Sequence, residues 1–486
     1  MKFMAAVKEI IKKILPKSWL LTYHYWLAQI AAMVYWYPSK KMIVIGVTGT
    51  NGKSTTVNLI AKILEETDPA GGLSSGAGNK VGIVSTVNFK VGDKEWLNPL
   101  KMTMPGRFYL QRLLRQMVRA GCGYVVLETS SEGLLQYRHL GIDYDAAVFT
   151  NLAPEHLDAH GGFDNYKKTK LKLPAQVANR PTKKINGRPV KRVLVANLDD
   201  RHAADFLDFE VDERYGYTAQ SNVAASVSSL RVRPWRTKQS DGTATLRDDV
   251  GARSDRVEAV ELNNFKISED GISFAVQKTQ FNLKLLGTFD LYNAGAAITT
   301  AQALGIELET ARTALEKVDN VPGRLERIDR GQPFVVVVDY SPEPASLSEV
   351  YKTLKHWNHN KIIHLLGSTG GGRDTGRRPI LGYIAGTHAD YVVVTNEDPY
   401  DDDPQEIIDD VAVGAVQAGL TEGEEVFKFL DRREGIKKAL SLAQGSDLVL
   451  ITGKGSEQAM VVKGNKKIPW DDREVVREEL EKLGYG

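Results

Sequence analysis

The chain has 486 residues, 42% of them hydrophobic, enough to bury a substantial core and to fill about two or three domains. Its formal charge is only +2 with Lys and Arg dispersed, so nothing points to nucleic acid as the main partner. A single cysteine, Cys122, excludes a disulfide scaffold and a Cys-built metal site, and the chain reads as cytoplasmic.

The first element is the apolar, Trp- and Tyr-rich run 19–37 (WLLTYHYWLAQIAAMVYWY), flanked by Lys12, Lys13, Lys17, Lys40 and Lys41. It is no signal peptide, because the next strand starts within a few residues of Pro38 and leaves no room for a cleavage site. As a spanning helix it is barely long enough and carries His24 and Gln29. Two readings remain: a helical hairpin packed on its own domain, or a helix lying at the inner face of a membrane with aromatics and lysines at the interface.

Residues 44–56 (VIGVTGTNGKSTT) read as a buried strand, a Gly-rich loop and the start of a helix that continues through 57–64. Such a loop turns backbone N–H groups toward phosphate oxygens, sets Lys53 against the terminal phosphates and offers the Ser54 hydroxyl to magnesium, so ATP is the expected cofactor. The spacing departs from the strict Walker A form, since Val47 stands where its first Gly would be, but the strand–loop–helix context carries the assignment. Residues 68–80, rich in Gly and Ser, read as a flexible insertion.

The run 121–128 (GCGYVVLE) is a strand ending on Glu128, where an acid has little reason to be buried unless it meets a cation; magnesium is the expected one. Residues 149–161 (FTNLAPEHLDAHG) form a second strand end that delivers His156, with Glu155, Asp158 and His160 close by. One such histidine alone is more often a surface group; clustered after a strand in a chain with a phosphate loop, these point to ligation. The pattern then loosens at 179–190 and 219–257 into loop and small-strand material, and order returns at 283–305. Residues 320–324 (NVPGR) read as a linker turn, and a second α/β block follows with apolar runs at 334–338, 362–366, 391–394 and 448–451.

In this order the motifs GTNGKST (49–55), ETSSEGL (128–134), FTNLAPEHLDAHG, Lys170, YNA (292–294), VPGRLE (321–326), VDY (338–340), GGGRDTGRRP (370–379) and GKGSE (453–457) make a chain that resembles the Mur ligase family, from residue 42 to the end. Within it the resemblance is nearest to the branch that adds the third residue of the peptidoglycan stem peptide. The implied fold is α/β: a short N-terminal helical segment (1–41), a central P-loop ATPase-like domain with a parallel sheet (42–319), and a C-terminal doubly wound α/β domain (320–486), hinged near 320–323. The implied chemistry is ATP-driven amide bond formation through an acyl phosphate, by a monomer whose partners are ATP, a muramyl-peptide acceptor and an amino acid.

Carried over residue by residue, the resemblance assigns Gly49, Thr50, Asn51, Gly52, Lys53, Ser54, Thr55, Asn293, Arg324 and Asp339 to ATP, and Thr103, Ser130 and Arg138 to the acceptor. Ser54, Glu128, His156 and Lys170 fall to the magnesium sites, with Lys170 as the lysine that becomes a carbamate; an unmodified lysine binding phosphate is its alternative. Lys53, Glu128, His156 and Lys170 form the catalytic set, and Arg373, Asp374, Asp398, Tyr400, Gly453 and Glu457 the amino-acid pocket.

The departures concern that pocket. Where the family shows Asp-Asn-Pro-Arg for diaminopimelate, this chain has Glu397, Asp398, Pro399 and Tyr400, followed by Asp401, Asp402 and Asp403. An acidic pocket without the Arg suits a cationic side chain, which favours L-lysine or another diamino acid without a second carboxylate; a solvated acidic loop is the alternative. Glu132 stands where His is usual, and Ser341, Pro342 and Glu343 replace Ala-His-Thr. Only about forty residues precede the phosphate loop, too few for the usual domain that binds the uridine diphosphate of the substrate. An acceptor linked to lipid, a folylpolyglutamate synthase-like glutamate ligase and a non-catalytic nucleotide-gated scaffold are the competing expectations, and retention of Lys53, Ser54, Glu128, His156 and Lys170 speaks against the last.

Overall fold

The computed structural model describes residues 17–67, 80–155, 160–220 and 256–486, with side chains from residue 22 onward. The expected insertion at 68–80, except Lys80, and most of the stretch 219–257 lie outside the described residues, as do His156 and Asp158. The chain divides into two compact units, one of Met1–Glu95, Met102–Glu261 and Gly295–Ala311, the other of Trp96–Lys101, Leu262–Ala294 and Arg312–Gly486.

In the first unit, β-branched runs bounded by Gly and polar turns make the strands β1 (Ile43–Thr48), β2 (Val81–Val84), β3 (Asn88–Val91), β4 (Lys94–Leu97), β5 (Tyr124–Glu128) and β6 (Ala146–Phe149). A hairpin of β7 (Lys183–Ile185) and β8 (Arg188–Val190) precedes β9 (Val193–Asn197), β10 (Glu213–Thr218) and β11 (Val257–Glu261). The main sheet runs β11-β10-β9-β6-β1-β5-β2-β3-β4. Pairing is parallel from β11 to β2 and turns antiparallel at β3. Strands β1, β5 and β6 are buried at every position, as expected where helices cover both faces of a parallel sheet.

The helices used below are α1 (Lys17–Val34), α2 (Lys53–Glu66), α3 (Arg107–Arg119), α4 (Phe163–Lys170) and α5 (Lys172–Ala178). Helix α3 shows why they pack: Leu110, Leu113, Leu114 and Met117 recur at helical spacing and form its buried stripe. Register sets Val47 of β1 beside Glu128 of β5, and Thr48 beside Phe149 of β6, so three strands end at one level.

In the second unit, a three-stranded antiparallel sheet of β12 (Asn263–Ser268), β13 (Gly271–Val276) and β14 (Thr279–Leu283) precedes the main sheet. That sheet contains β15 (Glu326–Ile328), β16 (Val335–Val338), β17 (Ile362–Leu366), β18 (Tyr391–Thr395), β19 (Val426–Phe429) and β20 (Leu448–Ile451) in the order β15-β16-β20-β17-β18-β19. All neighbours are parallel except β15 with β16. A short hairpin, β21 (Ala459–Val462) and β22 (Lys466–Pro469), follows β20.

Alternation along these strands feeds two cores. Val337, Leu366, Val392, Val394 and Leu450 pack with α6 (Pro344–Leu354), α7 (Arg377–His388) and α8 (Pro404–Gln417). Val336, Ile363, Leu365, Val393 and Val449 pack with α9 (Arg432–Leu442) and α10 (Asp472–Lys482). The unit is therefore doubly wound, as expected. Asp403, Asp431 and Asp471 cap α8, α9 and α10 with side chains that accept from the first-turn N–H groups. Helices α9 and α10 are also joined by a fully buried ion pair: Arg432 donates to both carboxylate oxygens of Asp472, at 2.8 and 2.7 Å, and to the Thr452 carbonyl at 2.8 Å.

Candidate active site

In each main sheet the carboxyl ends of the parallel strands carry the polar groups, the position where open α/β sheets bind ligands. In the first unit, β1 runs into the phosphate loop, and Gly52, at φ +79°, makes the left-handed turn that starts α2, a conformation costly for any residue with a Cβ. Ser54 and Thr55 are buried in the first turn of that helix. Ser54 Oγ donates to Glu128 Oε2 at 2.8 Å, so the acid at the end of β5 lies against the loop, as the strand reading anticipates.

Thr86, from the turn after β2, completes that carboxylate's shell: its N–H donates to Oε2 at 2.7 Å and its hydroxyl to Oε1 at 3.0 Å. The Thr86 hydroxyl lies 2.8 Å from that of Thr103, which draws one expected acceptor residue to the same cluster. Lys53 Nζ donates to the Thr50 carbonyl at 2.6 Å. The segment after β6 braces the loop from the other side. Thr50 N donates to Asn151 O at 2.9 Å, Asn51 N to Asn151 Oδ1 at 2.8 Å, and Thr150 Oγ1 to Asn51 O at 2.7 Å.

Lys170, at the end of α4, is 1% exposed, and its Nζ donates to the Gly49 carbonyl at 2.6 Å and sits 4.7 Å from the centre of the Tyr166 ring. Burial, then the nearby Lys53 charge, hold its ammonium well below the ordinary lysine pKa, against the pull of Glu155 and Glu128. Lys170, Lys53 and Glu128 are thus electrostatic neighbours around one loop. Among the described residues no three His, Cys, Asp or Glu side chains gather as a metal site. The hydroxyl and single carboxylate of Ser54 and Glu128 nevertheless suit magnesium, which keeps water and phosphate oxygens as most of its ligands.

Ser130 and Arg138 stand at the ends of the short helix Ser131–Leu135 and the turn after it. Ser130 Oγ accepts from Gly133 N at 3.2 Å, and Arg138 donates to the Met104 carbonyl, next to Thr103, and to Gln136 Oε1 at 2.7 Å. Sequence reasoning missed Arg107 at the start of α3, which donates to the Gln136 carbonyl; burial and the neighbouring Arg138 charge lower its pKa to about 10. The only signal was a Gly-Arg pair at a helix start.

In the second unit, Asn293 Nδ2 donates to Asp290 Oδ1 at 2.9 Å. Burial raises the Asp290 pKa to about 6, opposed by the Asn293 and Gly287 hydrogen bonds, with Asp339 and Arg324 as the nearby charges. Asp339, at the end of β16, accepts from Leu325 N at 2.8 Å and Ser341 N at 2.9 Å, while the Arg324 guanidinium lies 4.6 Å from the centre of the Tyr340 ring. The expected residues Asn293, Arg324 and Asp339 therefore share one neighbourhood. Ser341, a departure from the family pattern, turns its hydroxyl onto Asp339.

The loops after β17, β18 and β20 carry the expected amino-acid pocket. Arg373 and Asp374 are exposed, and Arg373 is an electrostatic neighbour of Tyr340 and Tyr400. Asp374 accepts from Gly376 N at 2.9 Å, and Gly453 N donates to Tyr340 O at 3.1 Å. Tyr400 is half-buried in the left-handed region at φ +53°.

The acids of the run 397–403, expected to form either an acidic pocket or a solvated loop, are met by partners within the unit. Asp398 is paired with Lys101 and, at 3.0 Å, with Lys454; Glu457 is paired with the same two lysines, at 3.0 and 2.7 Å. Glu397, also buried, is an electrostatic neighbour of Asp398 and Lys454 and adds a third acid beside these two lysines. Asp401 accepts from Gly464 N at 2.8 Å, Asp402 from Gly371 N at 3.1 Å, and Asp403 caps α8, so the acidic run braces loops. Lys101 and Lys454 are the residues the sequence reading overlooked; Lys454 lay inside GKGSE itself, whereas nothing in KMTMPG marked Lys101.

Comparison with known proteins agrees with both halves of this arrangement. A family model for the Mur ligase middle domain matches residues 47–301, and one for the Mur ligase, glutamate ligase domain matches residues 323–455. A UDP-N-acetylmuramyl-tripeptide synthetase from Roseiflexus sp. (strain RS-1) is 36% identical over 471 residues, covering 95% of this chain and 82% of that protein. A UDP-N-acetylmuramoyl-L-alanyl-D-glutamate–2,6-diaminopimelate ligase from Geobacillus kaustophilus is 36% identical over 458 residues, 94% of this chain and 83% of its own. Among solved structures, one UDP-N-acetylmuramoyl-L-alanyl-D-glutamate–2,6-diaminopimelate ligase aligns with a TM-score of 0.54 at 26% identity, over 92% of this chain and 80% of its own. A folylpolyglutamate synthase from Mycobacterium tuberculosis, complexed with ADP and AMPPCP, aligns with a TM-score of 0.59 over 88% and 91% of the two chains; at 16% identity this is a likeness of fold. With family models covering both sheets and relatives at 36% identity along nearly its whole length, the chain belongs to the Mur ligase family.

Proposed function

We propose that this protein is a peptidoglycan-precursor ligase that uses ATP to join a diamino acid, L-lysine or diaminopimelate, to a muramyl dipeptide in the cytoplasm. The observation that carries this reading is the cluster of buried Ser54 and Glu128 with half-buried Thr86 against the phosphate loop, with Lys53 and Lys170 around the same loop.

A carboxylate does not condense with an amine at neutral pH. An oxygen of the acceptor carboxylate therefore attacks the γ-phosphorus of ATP, the bond to the ADP oxygen breaks, and an acyl phosphate results. The deprotonated amine of the incoming amino acid then attacks the acyl carbon, and the tetrahedral adduct collapses with loss of inorganic phosphate. The protein's part is positioning and charge stabilisation. N–H groups of residues 49–55 cradle the phosphates, Lys53 meets the terminal ones, and Asn293, Arg324 and Asp339 bind the rest of the nucleotide. Magnesium, when held by Ser54 and Glu128, supplies positive charge beside the crowded phosphate oxygens.

Lys170 is proposed to carry a carbamate. Its burial favours the neutral amine, the form that reacts with carbon dioxide, and the product exchanges a cation beside Lys53 for an anion. Thr103, Ser130 and Arg138, joined by Arg107, hold the acceptor, with the guanidinium pair suited to its anionic groups. Arg373, Asp374, Tyr400, Gly453 and the Asp398–Glu457–Lys101–Lys454 cluster hold the amino acid. The test is phosphate release by the purified protein with ATP and magnesium, offered UDP-muramyl dipeptide with L-lysine or diaminopimelate, and folate with glutamate as the contrast. Release that requires the muramyl dipeptide and one diamino acid is expected; release only with folate, or with no acceptor pair, overturns the reading.

A further inference from the structure

Helix α1 is amphipathic in an inverted sense. Its buried positions are small, with Ala28, Ala31 and Ala32 fully buried, whereas Tyr23, Trp26, Ile30, Met33 and Val34 are between 41% and 60% exposed. The next turn presents Trp36 at 78% exposure. The small inner face allows close approach: Gly141, at φ +74°, would set a Cβ 2.4 Å from that of Ala32. A helix held to its unit only by packing would bury its large side chains, because each contributes roughly 1.5–3 kcal/mol when removed from water. Here they form one apolar, aromatic surface turned away from the unit.

The sequence segment that contains this helix is one-sided in charge. Residues 1–41 contain seven lysines and one glutamate, a formal +6; subtracted from the chain's +2, this leaves −4 on residues 42–486. Helix α1 itself contains no acidic residue. Beyond its end, Lys40 and Lys41 are exposed and form no ion pair among the described residues. A cleft of about 580 Å³ is lined by Lys40, Lys172, Tyr37, Tyr137 and His139, with Asp143 as its single acid. Lys40 lies 4.8 Å from the Tyr37 ring centre and Lys172 5.0 Å from that of Tyr137, so cations and aromatics alternate along this edge. No helix among the described residues is long and apolar enough to cross a membrane.

We infer that this face docks the protein on an anionic lipid bilayer, with α1 lying in the plane of the interface. Tyr and Trp sit at the headgroup level, Ile30, Met33 and Val34 reach the acyl boundary, and Lys40, Lys41 and Lys172 meet lipid phosphates. The contact is peripheral and depends on both apolar burial and charge, so it weakens with salt and with neutral lipid. It needs no residue assigned to the reaction and stands independently of the ligase reading.

The test is co-sedimentation of the full chain with vesicles of phosphatidylcholine alone or with about one-third phosphatidylglycerol, while tryptophan emission is followed. Binding to the anionic vesicles is expected with a blue shift, and at least about tenfold weaker binding to the neutral ones or at high salt. Trp26→Glu with Trp36→Glu should reduce anionic-vesicle binding at least about tenfold, and Lys40→Glu with Lys41→Glu should remove the preference for anionic lipid. Both pairs are surface changes, and an unchanged thermal unfolding midpoint reports that the fold is intact. Absence of vesicle binding, undiminished binding by the Glu pairs, or a dimer that the tryptophan pair dissolves would each overturn the inference, the last by making a second copy the occupant.

Discussion

The phosphate loop of the first unit and the amino-acid pocket of the second are both built from loops at the carboxyl ends of parallel strands, yet they depart unequally from the family pattern. Around the loop, the described residues of the expected set converge on backbone amides, one carboxylate and two lysines. In the pocket, Tyr400 stands where the resemblance sets the Arg of the diaminopimelate signature, and two lysines engage Asp398 and Glu457. Phosphate is the same anion in every nucleotide and is met largely by backbone N–H groups, so few side-chain solutions serve it. An amino-acid side chain is met by side chains, and several arrangements can reach the same net charge.

The contrast can be broken most severely at the loop. Lys53→Ala or Glu128→Ala should lower phosphate release by about a thousandfold or more with the unfolding midpoint retained, because both remove charge from the site of phosphoryl transfer. Lys170→Ala should cost about a hundredfold or more in kcat. Wild-type protein in ¹³C-bicarbonate should show a carbamate carbon resonance that this variant lacks; without that resonance in the active wild type, the modification is disproved.

In the pocket the expected effects are smaller and concern selectivity. Tyr400→Arg should raise kcat/KM for diaminopimelate relative to lysine by about tenfold, the size of one added charge-assisted contact. Unchanged preference would remove Tyr400 from the pocket. The mildest change is Asp290→Asn, which affects stability. The folded carboxyl titrates at about 6 against an ordinary value near 3.8, so its contribution is complete below pH 4 and is lost as pH rises to 6. The Asn variant should gain about 1–3 kcal/mol over wild type between those limits, read from denaturant midpoints at pH 4 and pH 7.5.

The parallel strands and the phosphate loop were legible because continuous β-branched runs have few alternative structures, and because Gly-rich turns before Lys-Ser reflect a backbone need. Glu128 was legible for the related reason that a buried acid at a strand end requires a partner. Thr86, Lys101 and Arg107 were not, since each acts on a residue distant in the chain and lies in an unremarkable local pattern. The acidic run left two readings open for the same cause: three consecutive aspartates suggest a field, but Asp401, Asp402 and Asp403 each accept backbone N–H groups, which local sequence does not reveal.

The buried Arg432–Asp472 pair bears on how the second unit is made. Asp472 follows Arg432 by 40 residues, so it leaves the ribosome after Arg432 and the strands that arginine backs. Until α10 is in place, that guanidinium lacks its hydrogen-bonded carboxylate and keeps only Glu397 and Asp398 as neighbouring acids, a deficit of up to about 3–5 kcal/mol. Helix α10 is thus the latch of the second core: its removal should yield a chain whose first unit folds while its second is handed to chaperones and proteases.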